Sequence, residues 1–167
     1  DGGATATLVP PWLVDESLKV VGRRDPIVVT PGTPLGTCIE AIRSGGTGDS
    51  VIVADADGRL VGVLTERDIF ARLVGDTEDG PVDLAASVET LMNRTPRTLR
   101  LEQPVRAALE LMETGAFRNI PLVDAGGRVV GIVRQQDILR YLAESFPEEL
   151  LNLPPRPDQL MGAAEGA

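Results

Sequence analysis

The chain carries one pattern twice. Gly62-Val63-Leu64-Thr65-Glu66-Arg67-Asp68-Ile69 returns as Gly131-Ile132-Val133-Arg134-Gln135-Gln136-Asp137-Ile138, an offset of 69 residues. Upstream, Asp25-Pro26 is echoed by Thr95-Pro96, Thr33-Pro34-Leu35 by Gln103-Pro104-Val105, and the segment from Asp55 to Arg59 by Asp124 to Arg128. A duplication on this scale decides the architecture before any local reading does. It implies two similar units related by a pseudo-two-fold axis, with a cleft between them.

Local signals give each copy the order β-α-β-β-α. Ile27-Val28-Val29 reads as a short strand after Asp25-Pro26. Thr33-Pro34 supplies an N-cap and a first-turn proline for a helix whose inner face is Leu35, Ile39 and Ile42. The glycines from Gly45 to Gly48 end it. Ser50 to Ala54 is a buried strand, Asp57-Gly58 predicts a type I′ hairpin, and Leu60 to Leu64 returns antiparallel. Thr65 opens a second helix. The second copy repeats this with a short helix over 87–92, a strand at 97–99, a helix over 104–113, strands at 120–123 and 129–133, and a closing helix from Asp137. The expected divisions are an arm with a short helix (1–21), a first repeat (22–76), a linker (77–86), a second repeat (87–146) and a proline-rich tail (147–167).

Composition removes several function classes. Formal net charge is −9, against a bulk nucleic-acid or anionic-membrane partner, which needs a cationic face. Aromatics are 3%, too few for a base-stacking platform. There is no histidine and Lys19 is the only lysine, so the usual general bases and the commonest metal ligand are missing. Glu66 and the linker acids Asp76, Glu78, Asp79 and Asp83 read as solvated charges, and the Asp55-Ala56-Asp57-Gly58 turn is no calcium loop, because Arg59, Leu60 and Val61 follow where further oxygen ligands are needed. The single cysteine, Cys38, sits on the apolar helical stripe and reads as a small buried hydrophobe. A reducing cytoplasm fits that content. No apolar run approaches the ~20 residues of a membrane span. The chain therefore reads as no enzyme and requires no cofactor.

A three-stranded sheet with helices on one face leaves its other face bare, and a unit of ~55 residues buries too little surface to stand comfortably alone. Docking two copies sheet to sheet covers both bare faces. The apolar runs at 51–54, 60–64, 120–123 and 129–133 suit strands buried on both sides.

This order, the hairpin between Val53 and Leu60, and Gly-hydrophobic-x-Thr-x-x-Asp at 62–68 together resemble a CBS domain, the module named after cystathionine β-synthase. The second copy resembles the other member of a CBS pair, so the resemblance covers about residues 22–145. It implies an α+β tandem pair packed sheet to sheet. It also implies a regulatory module that binds an adenosine ligand such as AMP, ADP, ATP or S-adenosylmethionine without doing chemistry on it. Such pairs commonly assemble as homodimers and are often attached to an enzyme, channel or transporter. No such attachment is visible in this sequence, which reads as a stand-alone pair with an unidentified regulated protein.

Two accounts compete for Thr65 and Asp68. A capping box explains their spacing, with Thr65 capping the helix and Asp68 reaching back to the Thr65 amide. Alternatively, Asp68 accepts both ribose hydroxyls while the helix N-terminus faces phosphate. Arg134 cannot cap as Thr65 does, yet Asp137 stands in the same place, which favours the ribose account. The two roles are compatible. Phosphate needs local cations, and Arg67, Arg118 and Arg134 are the candidates. Similarity to CBS pairs implies that the Asp68 cleft is completed by Thr98 and by Arg118-Asn119-Ile120-Pro121, which would hold adenine. The first copy's Asp49-Ser50-Val51-Ile52 lacks the proline and the cation, so the cleft with Arg134 and Asp137 is expected to be weak, empty or tuned to another ligand. One occupied site is expected. The competing reading is a ligand-free interaction module using the pair and the proline-rich tail.

Overall fold

A computed structural model describes residues 11–21, 24–45, 50–75, 78, 80–115 and 117–145. The arm expected at 1–10, Asp49, Asp76, Asp79 and the tail over 147–167 lie outside the described residues. The first copy has the anticipated order: β1 (Val28–Val29), α2 (Leu35–Gly45), β2 (Ser50–Ala54), β3 (Leu60–Thr65) and α3 (Glu66–Val74). A short helix, α1 (Pro11–Asp15), and a 3-10 turn at Leu18–Val21 precede it. Its sheet runs β1-β2-β3, with β1 and β2 parallel and β2 and β3 antiparallel. Every residue of β2 is buried, as its unbroken apolar run requires.

The second copy contains α4 (Val105–Glu113), β4 (Asn119–Val123), β5 (Val129–Arg134) and α5 (Gln135–Ser145). Here the strand expected at 97–99 shrinks to one parallel bridge, Leu99 with Leu122. The cause is Pro121. In the first copy the Ile52 amide donates to the Ile27 carbonyl at 2.8 Å, anchoring β1. The corresponding position in the second copy is Pro121, which has no N–H to give. Only the bonds from Leu99 N to Pro121 O and from Val123 N to Leu99 O survive.

The hairpin also departs from expectation. A type I′ turn needs positive φ at both central residues. Gly58 has φ +81°, but among the described residues no non-glycine residue has positive φ, so Asp57 does not. Instead Gly58 N donates to Asp55 O and Asp55 N to Arg59 O, closing a three-residue loop on a bulge glycine. The Asp55 side chain accepts from the Asp57 and Arg59 amides. Asp124 and Gly127 repeat the device.

The segments leading into each copy pack on the other one. The Thr33 hydroxyl donates to Thr30 O rather than capping α2. The orphan amides of α2 are met by the chain before the second copy, Leu35 N donating to Ala86 O and Gly36 N to Leu84 O. Val88 and Met92 join the first copy's core with Leu35, Cys38, Val51 and Leu64. Reciprocally, Val105 N of α4 donates to Glu16 O, and Leu18 enters the second copy's core with Leu99, Val105, Ile120 and Val133. Each bridge has a mirror: Ser17–Pro104 with Pro34–Ser87, and Arg24–Ile132 with Val63–Asn93.

A separate apolar cluster closes the seam between the sheets: Ile52, Val63 and Ile132, flanked by Leu60 and Val129. The hairpin tips pair there too, Leu60 N donating to Gly127 O and Val129 N to Gly58 O. Gly62 is explained by the exchange. A Cβ at this position would stand 2.6 Å from Met92 Sδ and 2.9 Å from the Asn93 carbonyl.

Candidate functional site

Two carboxylates related by the pseudo-dyad sit where the last strand of each copy turns into a helix. On the first, Thr65 is the N-cap of α3 and the full capping box is present. Thr65 Oγ1 accepts from Asp68 N at 3.2 Å, and Asp68 Oδ2 accepts from Thr65 N at 3.0 Å and from the Thr65 hydroxyl at 2.8 Å. Both of those bonds end on Oδ2. Oδ1 takes no protein donor among the described residues. Asp68 is half-buried, so the helix start carries an anion with one oxygen still able to accept.

The second carboxylate is held differently. Asp137 is 6% exposed. Its Oδ2 accepts from the Arg134 amide at 3.0 Å and, at 3.5 Å, from the Arg134 guanidinium. Oδ1 accepts from Arg24 Nε at 2.5 Å. Burial alone would raise the Asp137 pKa. The Arg24 hydrogen bond, the Arg134 amide and the two guanidinium charges outweigh burial and hold it below the ordinary aspartate value. The backbone half of a capping box is thus kept without a capping side chain.

Arg24 was not among the sequence candidates. It comes from the segment before the first copy, and its backbone is fixed by the bridge to Ile132. The signal that could have found it is the duplication itself: Arg24 and Asn93 stand 69 apart and bridge dyad-related partners. Around Arg24, the cleft is lined by Asp25, Pro26, Ile27, Ser50, Asn119, Ile132 and Arg134. The cavity is about 10 Å³, room for roughly one water.

The other sequence candidates are placed unevenly. Arg67 and Arg118 are exposed and make no ion pair among the described residues. The Arg118 carbonyl accepts from Gln135 N, which fixes that loop against the start of α5. Asn119 pairs with Arg134 across β4 and β5. Ile120 is fully buried in the second copy's core. Pro121 is buried and Thr98 half-buried. No hydrogen bond joins Thr98 or residues 118–121 directly to Asp68 among the described residues. Asn119 instead lines the cavity around Arg24, together with Ser50 and Arg134.

Cys38 is fully buried, and burial pushes its thiol pKa up, as expected of an apolar filler. Among the described residues no group of His, Cys, Asp or Glu could hold a metal ion, and no helix is long and apolar enough to cross a membrane.

Comparison with known proteins gives a consistent picture. The family profile for the CBS domain matches residues 16–75 and 88–144. An uncharacterized protein of Methanopyrus kandleri is 33% identical over 140 residues, covering 80% of this chain and 68% of that protein. The crystal structure of CBSX2 in complex with AMP superposes with a TM-score of 0.59 at 26% identity, over 72% of this chain and 92% of that one. The CBS domain pair of protein MJ0100, in complex with 5′-methylthioadenosine and S-adenosyl-L-methionine, gives a TM-score of 0.63 at 25% identity, over 75% of this chain and 98% of that one.

Proposed function

The chain belongs to the CBS-domain family, and on that premise we propose that it is a regulatory module that senses an adenosine ligand in the cleft between its two copies. The observation that carries this reading is the Asp68 carboxylate. It is anchored by the capping box through Oδ2, while Oδ1 is left to accept a ribose hydroxyl. Backbone amides of the first turn of α3 and the exposed Arg67 and Arg118 supply positive charge for phosphate. Similar CBS pairs crystallised with AMP and with S-adenosylmethionine support the ligand class.

The two clefts are unequal on this reading. Asp68 awaits a ligand, whereas Asp137 is already paired with Arg24, so the Asp68 cleft fills first. The output is a shift between arrangements of the two copies, driven by the ligand's differential affinity for them. Self-association as a homodimer is supported by apolar side chains left exposed at dyad-related positions, Phe70 on α3 and Leu139 on α5, with Leu73 and Val74 beside the first. The buried lone thiol suits a cytoplasmic setting.

Titration calorimetry with AMP, ATP and S-adenosylmethionine tests the proposal, alongside melting temperature at millimolar ligand. At least one ligand is expected to bind and to raise the melting temperature by mass action. If none does, the competing reading as a ligand-free interaction module prevails.

A further inference from the structure

We propose that Arg24 gates the Asp137 cleft and sets its ligand class. The cleft admits an adenosine ligand only when that ligand carries a phosphate able to receive the displaced guanidinium. This rests on the reading of the clefts as adenosine sites, and it concerns the one that reading leaves closed.

The argument starts from Asp137. A ribose diol needs acceptor oxygens, and each Asp137 oxygen already accepts from a partner, Oδ2 from the Arg134 amide and Oδ1 from the Arg24 guanidinium. Arg134 cannot leave easily: its side chain is 14% exposed, and its amide bond is part of the turn into α5. Arg24 can. Its side chain is 31% exposed on a long stem, while its backbone stays tied to Ile132. The cavity beside the pair, lined by Arg24 and Arg134, is about 10 Å³, too small for a nucleoside in this arrangement. Displacement exchanges a charge-assisted bond on a buried carboxylate for a bond from a neutral hydroxyl. A phosphate-free ligand leaves the exchange unfavourable. A phosphate restores a charge-assisted, bidentate-capable partner for a cation whose backbone stays tied to Ile132. Asp25 lies beside it and is exposed to solvent, where its charge is screened. The dyad mate of Arg24 is Asn93, whose side chain accepts from Thr95 rather than meeting Asp68. Among the described residues the Asp68 cleft therefore has no such gate.

The test uses the full chain carrying Asp68→Ala, so that heat of binding reports the second cleft. It is titrated with AMP and with 5′-methylthioadenosine. AMP is expected to bind at least ~10-fold more tightly, the scale of one charge-assisted hydrogen bond. Adding Arg24→Gln should weaken AMP, strengthen 5′-methylthioadenosine and shrink the preference to within about threefold. Arg24→Ala is the second variant, and circular dichroism confirms the fold of both. An unchanged preference in both variants, equal binding of the two ligands before substitution, or no binding to the Asp68→Ala chain overturns the gate. If the chain with Asp68 intact also binds neither ligand, the adenosine reading fails with it. If that chain binds AMP, only the gate falls.

Discussion

Replacing Asp68 separates its two roles, because they draw on different oxygens. In Asp68→Ala the Thr65 amide and hydroxyl lose the acceptor they share at 3.0 and 2.8 Å. Removing half of a capping box costs about 1–2 kcal/mol. In a domain of this size that lowers the melting temperature by roughly 3–6 °C. Ribose binding suffers more. A ribose hydroxyl donating to the charged Oδ1 contributes about 1.5–3 kcal/mol, so affinity for AMP should fall by on the order of 10- to 100-fold. Asp68→Asn keeps an acceptor for the Thr65 amide and loses the charge. It should recover most of the thermal stability and little of the binding. Calorimetric titration with AMP and scanning calorimetry of the three proteins give both readouts. The ribose assignment is wrong if Asp68→Ala keeps the number of AMP sites of the unaltered chain and binds at its tightest site within threefold, whatever happens to its melting temperature. A variant that loses stability and keeps binding would make Asp68 a cap and nothing more.

Three further outcomes follow from the geometry. Gly62→Ala places a methyl 2.9 Å from the Asn93 carbonyl and 2.6 Å from Met92 Sδ. The chain exchange must give way, costing about 1–3 kcal/mol in urea unfolding; a midpoint unchanged from the parent would contradict the close approach. The pKa of Asp137 is depressed in the folded chain. Its contribution is therefore present above the unfolded aspartate pKa and lost as pH falls through the lower folded value, with a slope of at most about 1.4 kcal/mol per pH unit. Asp137→Asn should flatten the acid limb of stability against pH, and parallel limbs would refute it. Pro121→Ala restores the amide missing from the second sheet, and hydrogen exchange should show a newly protected N–H at 121. Exchange there at the rate of an open loop would mean that something other than proline truncates the strand.

Much of this architecture could be read from the sequence, and the part that could not is non-local. The duplication fixes the pair, and the apolar runs at 51–54 and 120–123 fix strands that must be covered on both faces. The Thr65–Asp68 spacing gives the capping box, which depends only on residues three apart. Segments 16–24 and 84–93 are different. Each holds a few apolar residues, such as Leu18 or Val88 and Met92, that satisfy either copy equally well as a pattern. Only the direction the chain takes from the sheet puts Leu18 in the second core and Val88 in the first. The hairpin was misassigned because Asp57-Gly58 fits two turns. The bulge loop needs left-handed backbone at Gly58 alone and so avoids straining an aspartate. The shortened sheet was legible in principle, since Pro121 stands where Ile52 donates. Arg24 was legible only through the duplication, since its partner is 113 residues away.

The two copies agree where they touch and differ at the mouths of their clefts. At the seam, Ile52, Val63 and Ile132 pack together, and reciprocal bridges tie each copy to the chain preceding the other. At the mouths, Ser50 faces Thr65 across one sheet and Asn119 faces Arg134 across the other. Arg24 stands where the dyad places Asn93. Geometric symmetry with chemical asymmetry has a consequence for signalling. A ligand in either cleft would meet residues from both copies, so it stabilises whichever arrangement of the pair fits it better. On the proposed function, the shared seam and the exchanged segments would make a change of arrangement at one cleft felt at the other, coupling binding at the two. Unlike mouths allow that coupling to link two different ligand states, whereas identical mouths would only count molecules of one.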